Sequence, residues 1–69
     1  MSHLGFDVIE QKPKTKVYGV YSLHDKSLLG RIYWYGWWRE YVFESLTGII
    51  WTETCLKELY KFLKKLKEE

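Results

Sequence analysis

"LLGRIYWYGWWREYVFES", residues 28–45, places seven aromatic side chains in one short stretch: Tyr33, Trp34, Tyr35, Trp37, Trp38, Tyr41 and Phe43. The run divides at Gly36. Leu28 to Tyr35 and Arg39 to Ser45 are both rich in aromatic and β-branched residues, which fit a pleated, half-buried surface. A tight connection near Gly36–Trp37 then predicts two antiparallel strands. Because successive strand residues point to opposite faces, Ile32 and Trp34 oppose Arg31, Tyr33 and Tyr35. By the same rule Arg39, Tyr41 and Phe43 oppose Glu40, Val42 and Glu44.

Upstream, "KVYGVYSL" (Lys16 to Leu23) reads as another strand, joined to the next by the polar turn "HDKS" at residues 24–27. Residues 1–14 are either a mobile arm or a short strand: "FDVIEQ" alternates, and Pro13 interrupts. Downstream, "SLTG" has Ser45 first and Gly48 fourth, as type I turns prefer, and "IIW" at 49–51 is a candidate short fourth strand. The period then changes. Leu56, Leu59, Leu63 and Leu66 recur at intervals of three and four, with Cys55 and Phe62 beside them, which is one stripe of a helix. Thr52 is its expected N-cap and Glu53 suits its positive end, so the helix should run from about 53 to about 67. The expectation is an N-terminal segment 1–14 followed by a single β-β-β-(β)-α domain over 15–69. Its fold class is α+β, an antiparallel three- to four-stranded meander with one C-terminal amphipathic helix packed on one face.

With 69 residues the chain is one domain, and a domain of this size buries only about 60% of its unfolded surface. Aromatics make up 19% of it, and rings supply apolar area that so small a core otherwise lacks. The single cysteine, Cys55, forms no internal disulfide, which fits a reducing, cytoplasmic setting. No apolar run reaches the roughly 18 residues of a membrane span, and the N-terminus does not read as a signal peptide. The net charge of +2 is milder than that of proteins that wrap duplex DNA. His3 and His24 stand apart, no glycine-rich phosphate loop appears, and nucleophile, base and orienting group do not assemble. No metal, cofactor or enzymatic activity is expected.

One helix covers one face of a sheet and leaves the other to water or a partner. The alternation assigns Ile32, Trp34, Tyr41, Phe43, Val17 and Tyr21 to the covered face. Tyr18, Val20, Tyr33, Tyr35 and Val42 then face away, among Arg31, Glu40 and Glu44. Such a surface suits protein contact, a second copy of the chain included, with Tyr18, Arg31, Tyr33, Tyr35 and Trp37 as candidate anchors. The alternative is single-stranded nucleic acid stacked on Tyr33 and Tyr35 beside Arg31, each base worth roughly 1–3 kcal/mol. Lys57, Lys61 and Lys64 of the helix would meet its phosphates. Glu40 and Glu44 count against that alternative. A plainer account is that the tyrosines stabilise the sheet by cross-strand pairing and that the lysines are a solvated helix face.

Gly30, Ile32, Trp34 and Tyr35, then Trp38, Arg39, Tyr41 and Phe43, then Cys55 and Leu56, form a pattern over residues 28–66. It resembles a group of short proteins of phages, prophages and other mobile elements, for which no activity is known. In that group a proline often follows the Phe segment; Ser45 stands near that place here. The resemblance implies a viral or mobile-element origin and a place in the host cytoplasm. The expected architecture also looks like the three-strand-plus-helix DNA-binding domains of integrases, without their motifs.

Overall fold

The computed structural model describes residues 3–68. Four strands, β1 (Leu4–Gln11), β2 (Lys16–Ser22), β3 (Leu28–Tyr35) and β4 (Glu40–Ser45), precede one helix, α1 (Glu53–Glu68). The strands pair antiparallel in chain order and the helix packs on one face, so the fold is the α+β meander that the periodicities predict.

The fourth strand comes from the N-terminus, not from residues 49–51. Leu4 and Phe6 of β1 share a face with Val20 and pack beneath the helix, which draws the segment into the sheet. The amides of His3 and Leu4 donate to the Glu58 carboxylate of α1, at 2.9–3.2 Å. Pro13 does not interrupt a strand. It lies in the β1–β2 turn, where the Lys12 amide donates to the Thr15 carbonyl at 2.9 Å, and its fixed φ suits the turn's first inner position. Residues 49–51 are not a strand because Gly48, at φ 83°, turns the chain away from the sheet. Trp51 folds back instead. Its ring meets Phe43 edge-on at 5.0 Å, and its Nε1 donates to Ser45 Oγ at 3.0 Å.

Tyr35 and Glu40 pair across a four-residue loop, with the Trp38 amide donating to the Tyr35 carbonyl at 3.2 Å. The left-handed residue of this loop is Arg39, at φ 53°. In the β2–β3 turn Lys26 is left-handed at φ 62°, and the Asp25 carboxylate accepts from Ser27 Oγ at 2.8 Å and from the Ser27 amide at 3.1 Å. These bonds to Ser27 hold Asp25 below the usual carboxylate range.

Val20 and Ile32 are fully buried at the centre, with Leu4, Leu59 and Leu66 around them. Phe6 stacks on Phe62 at 4.1 Å, and Tyr18 meets Phe62 edge-on at 5.2 Å. Thr52 caps the helix: its Oγ1 accepts from the Cys55 amide at 3.2 Å and its carbonyl from the Leu56 amide at 3.0 Å. The buried stripe is Cys55, Leu59, Phe62, Leu63 and Leu66. Leu56 leaves it, 51% exposed. At 3.6 residues per turn Leu56 lies about 60° to the side of Leu59, beyond what the sheet covers.

Both faces of β2 differ from the sequence expectation. The register sets Tyr18 opposite Ile32 and Val20 opposite Phe6 and Gly30, so Tyr18 and Val20 lie beneath the helix. Val17 and Tyr21 lie on the open face. Alternation alone could not decide, because β2 carries a Val and a Tyr on each side. Gly19 matches the observed register. The Tyr21 ring and Ile9 lie over it, and a Cβ there would meet Tyr21 Cε2 at 2.8 Å and Ile9 Cγ2 at 3.0 Å.

Candidate functional site

Three surfaces bear on function. The first is the open sheet face, where Asp7, Gly19, Arg31 and Glu44 line up across the four strands. Arg31 Nη2 donates to Glu44 Oε1 at 2.6 Å, and its guanidinium lies 5.5 Å from the Tyr33 ring centroid. The hydrogen bond and the charge of Glu44 raise the Arg31 pKa above its ordinary value, with Glu10 adding to the effect. Tyr33 and Tyr35 are half-buried on this face, and Val17 is only 6% exposed. By register Asp7, Glu10 and Glu44 share it, and Glu40 sits at its corner, where it also borders the groove on the helix side, so the face is acidic overall.

Of the residues singled out in the sequence, the face thus brings together Arg31, Tyr33 and Tyr35. It does not hold Tyr18, whose ring packs under α1 because its cross-strand partner is the buried Ile32.

The second surface is the tip of the β3–β4 hairpin. Trp37 is 89% exposed and Trp38 68% exposed. Trp38 meets Tyr35 edge-on at 4.9 Å, which orients one ring of the pair. Trp37 therefore stands at the end of the sheet rather than on its open face.

The third surface lies on the helix side, at the end of the sheet near the β1–β2 turn and the β3–β4 hairpin. There a groove of about 1180 Å³ opens. Its floor is aromatic: Tyr18, Trp34 and Tyr41. Trp34 meets Tyr41 edge-on at 5.5 Å and is still 42% exposed. Tyr41 is held from the other side by the Lys16 amide, which donates to its hydroxyl at 3.4 Å. Tyr60, Leu63 and Leu66 form the helix wall. Lys14, Lys16, Arg39, Lys64 and Lys67 border the groove, against the carboxylates of Glu40 and Glu68. Among the described residues the ion pair lies elsewhere, between Arg31 and Glu44, so these five cations are not neutralised by direct pairing.

The sequence reading assigned Trp34 and Tyr41 to the covered face, which is correct, but not to a groove. It placed Lys67 on the polar helix side among lysines able to meet phosphates, but did not single out Lys14, Lys16 or Tyr60. The one visible signal of Lys14 and Lys16 is the lysine cluster of "KPKTK" at 12–16. Of the three helix lysines proposed for phosphates, Lys64 borders the groove, while Lys57 and Lys61 are exposed outside it.

The groups with reactive chemistry are dispersed. His3 adjoins the helix at Glu58, His24 sits in the β2–β3 turn, and Cys55 is half-buried against the core. Among the described residues no group of three or more His, Cys, Asp or Glu is placed to hold a metal. No helix there is long and apolar enough to cross a membrane. Comparison with protein-family models, with curated proteins and with solved structures finds no match to this chain.

Proposed function

We propose that the chain is a small, non-enzymatic binding protein that works through protein–protein contact, self-association into a homodimer included. One observation carries this reading: two neighbouring tryptophans, Trp37 and Trp38, project from a hairpin tip largely into solvent, Trp38 with only an edge contact to Tyr35. Large rigid rings are the usual anchors of protein interfaces, and so is arginine, present here as Arg39. Tyr33, Tyr35 and Arg31 extend the surface along the adjoining open face. A two-fold axis near the tip would let the same rings bury themselves on both subunits. A lasting interface of standard size hides about 800 Å² per partner, and large indole rings supply such area economically. The origin proposed with this reading, a phage or other mobile element acting in the host cytoplasm, rests on the resemblance over residues 28–66.

The test is sedimentation equilibrium over a range of concentrations. Wild-type protein should pass from monomer to dimer mass, and the Trp37→Ser/Trp38→Ser double variant should remain a folded monomer. Wild-type protein that stays monomeric at hundreds of micromolar would defeat the homodimer.

The nucleic-acid alternative, as placed on the open face, loses support from the observed charges. Asp7, Glu10 and Glu44 share that face, and its arginine is already engaged by Glu44.

A further inference from the structure

The geometry points to a second binding site on the opposite side of the sheet: the aromatic groove beside α1 takes a single-stranded polynucleotide. The argument rests on three properties of that groove. The first is charge. Lys14, Lys16, Arg39, Lys64 and Lys67 come from four different parts of the chain and converge on one rim. Glu40 and Glu68 leave a local excess of three positive charges, although the whole chain carries only +2. The open face, with Asp7, Glu10 and Glu44 against Arg31, carries a net negative charge. The molecule is thus polarised, with its positive side at the groove.

The second property is the floor. Trp34 and Tyr41 line it, and Tyr60 stands on the helix wall, 63% exposed. Ring faces next to a positive rim are what unpaired bases and their phosphates need together, since every base has a face that can stack. A duplex hides those faces in its own stack. An acidic peptide would satisfy the cations and leave the rings without a flat partner.

The third property is size. At about 1180 Å³, and open to solvent, the groove exceeds the roughly 300–1,000 Å³ of a pocket that encloses one small molecule. It suits a chain passing through better than a ligand held inside.

The experiment is a fluorescence-anisotropy titration of labelled thymidylate and uridylate dodecamers at low salt. Either strand should bind, with quenching of tryptophan emission. Affinity should fall as salt rises, the log–log slope steepening by about 0.7 for each phosphate neutralised. Lys64→Ser/Lys67→Ser should weaken binding about tenfold and flatten that slope. Lys57→Ser/Lys61→Ser removes the same charge from the helix outside the groove and should change affinity less than about twofold. Trp34→Leu should weaken binding about fivefold or more with the salt slope unchanged, because it removes stacking and no charge. The lysine pairs are fully on the surface, so they carry the test even if Trp34→Leu unfolds. Absence of binding to both strands at hundreds of micromolar protein would overturn the proposal. So would equal losses from the two lysine pairs, or displacement of the strand by polyglutamate as effectively as by unlabelled oligonucleotide. Both lysine pairs lie on α1 rather than on the hairpin, so their comparison reads the groove whether or not the protein dimerises through its tip.

Discussion

At the scale of single residues, two positions show how the chain reconciles backbone and site. Gly30 is buried in β3 directly beneath the Phe43 ring, and a Cβ there would meet that ring at 2.7 Å as well as the Glu44 carbonyl. It lets an aromatic lie flat on the sheet. Arg39 is the opposite case, a long side chain held at φ 53° where glycine would rest without strain. A left-handed conformation costs an L-residue roughly 1–2 kcal/mol, part of which glycine returns through its freer unfolded chain. Arg39→Gly should therefore stabilise the fold by about 0.5–1 kcal/mol, a rise in Tm of several degrees for a domain this small. Thermal denaturation checks it. The same variant removes one cation from the groove rim, so it should bind the oligonucleotides less well while melting later. Loss of stability together with loss of binding would mean that the arginine side chain holds the hairpin, and the strain account would fail.

At the scale of elements, α1 presents a stripe rather than a face. Leu59 is buried over Val20 and Ile32, whereas Leu56 is half in water. Truncating a buried leucine removes transfer free energy and leaves a cavity, so Leu59→Ala should cost roughly 2–5 kcal/mol, while Leu56→Ala should cost under about 1 kcal/mol. Urea unfolding of the two variants side by side is decisive, and equal losses would contradict the observed packing. The helix, its Thr52 cap and the strands of the central hairpin were all legible in the sequence, because each rests on a local signal: a period of 3.6, a period of 2, or a turn residue. The faces of β3 and β4 were legible too, since Ile32 and Phe43 alternate with Arg31 and Glu44. The faces of β2 were not. Val17, Tyr18, Val20 and Tyr21 are apolar on both sides, so only pairing with β1 and β3 could choose between them. A register shift on each side of β2, at Val8/Glu10 and at Val20/Tyr21, further blurs the period.

At the scale of the whole molecule, the groove was illegible for a different reason. Its cations come from the β1–β2 turn, from the start of β2, from the β3–β4 loop and from the last turns of α1, and no local pattern joins such positions. Only the folded meander brings them together. The same logic decides what the first residues do. In the sequence, residues 1–14 are interrupted by a proline and read as either a mobile arm or a short strand. In the structure β1 closes one side of the core: Leu4 is 5% exposed, Phe6 stacks on Phe62, and the amides of His3 and Leu4 bind Glu58 on the helix. Domains of this length have only about 3–10 kcal/mol of stability, at roughly 0.05–0.15 kcal/mol per residue. Losing the buried Leu4 and the half-buried Phe6 already costs about 3–8 kcal/mol together, before the hydrogen bonds of a whole strand are counted. Removing residues 1–11 also bares Val20, now fully buried, and half of the Phe62 environment. The truncated chain should therefore have no cooperative thermal transition and no near-ultraviolet circular dichroism from fixed aromatic rings. A truncated chain that unfolds cooperatively, within about 1 kcal/mol of the full one, would show that β1 is an arm laid on a self-sufficient domain. Glu58→Gln in the full chain separates the contributions further. It keeps acceptor geometry for one amide but removes the charge, and should cost only about 1–2 kcal/mol, because hydrogen bonds to a charged partner are worth more than neutral ones but Leu4 and Phe6 keep their packing beneath the helix.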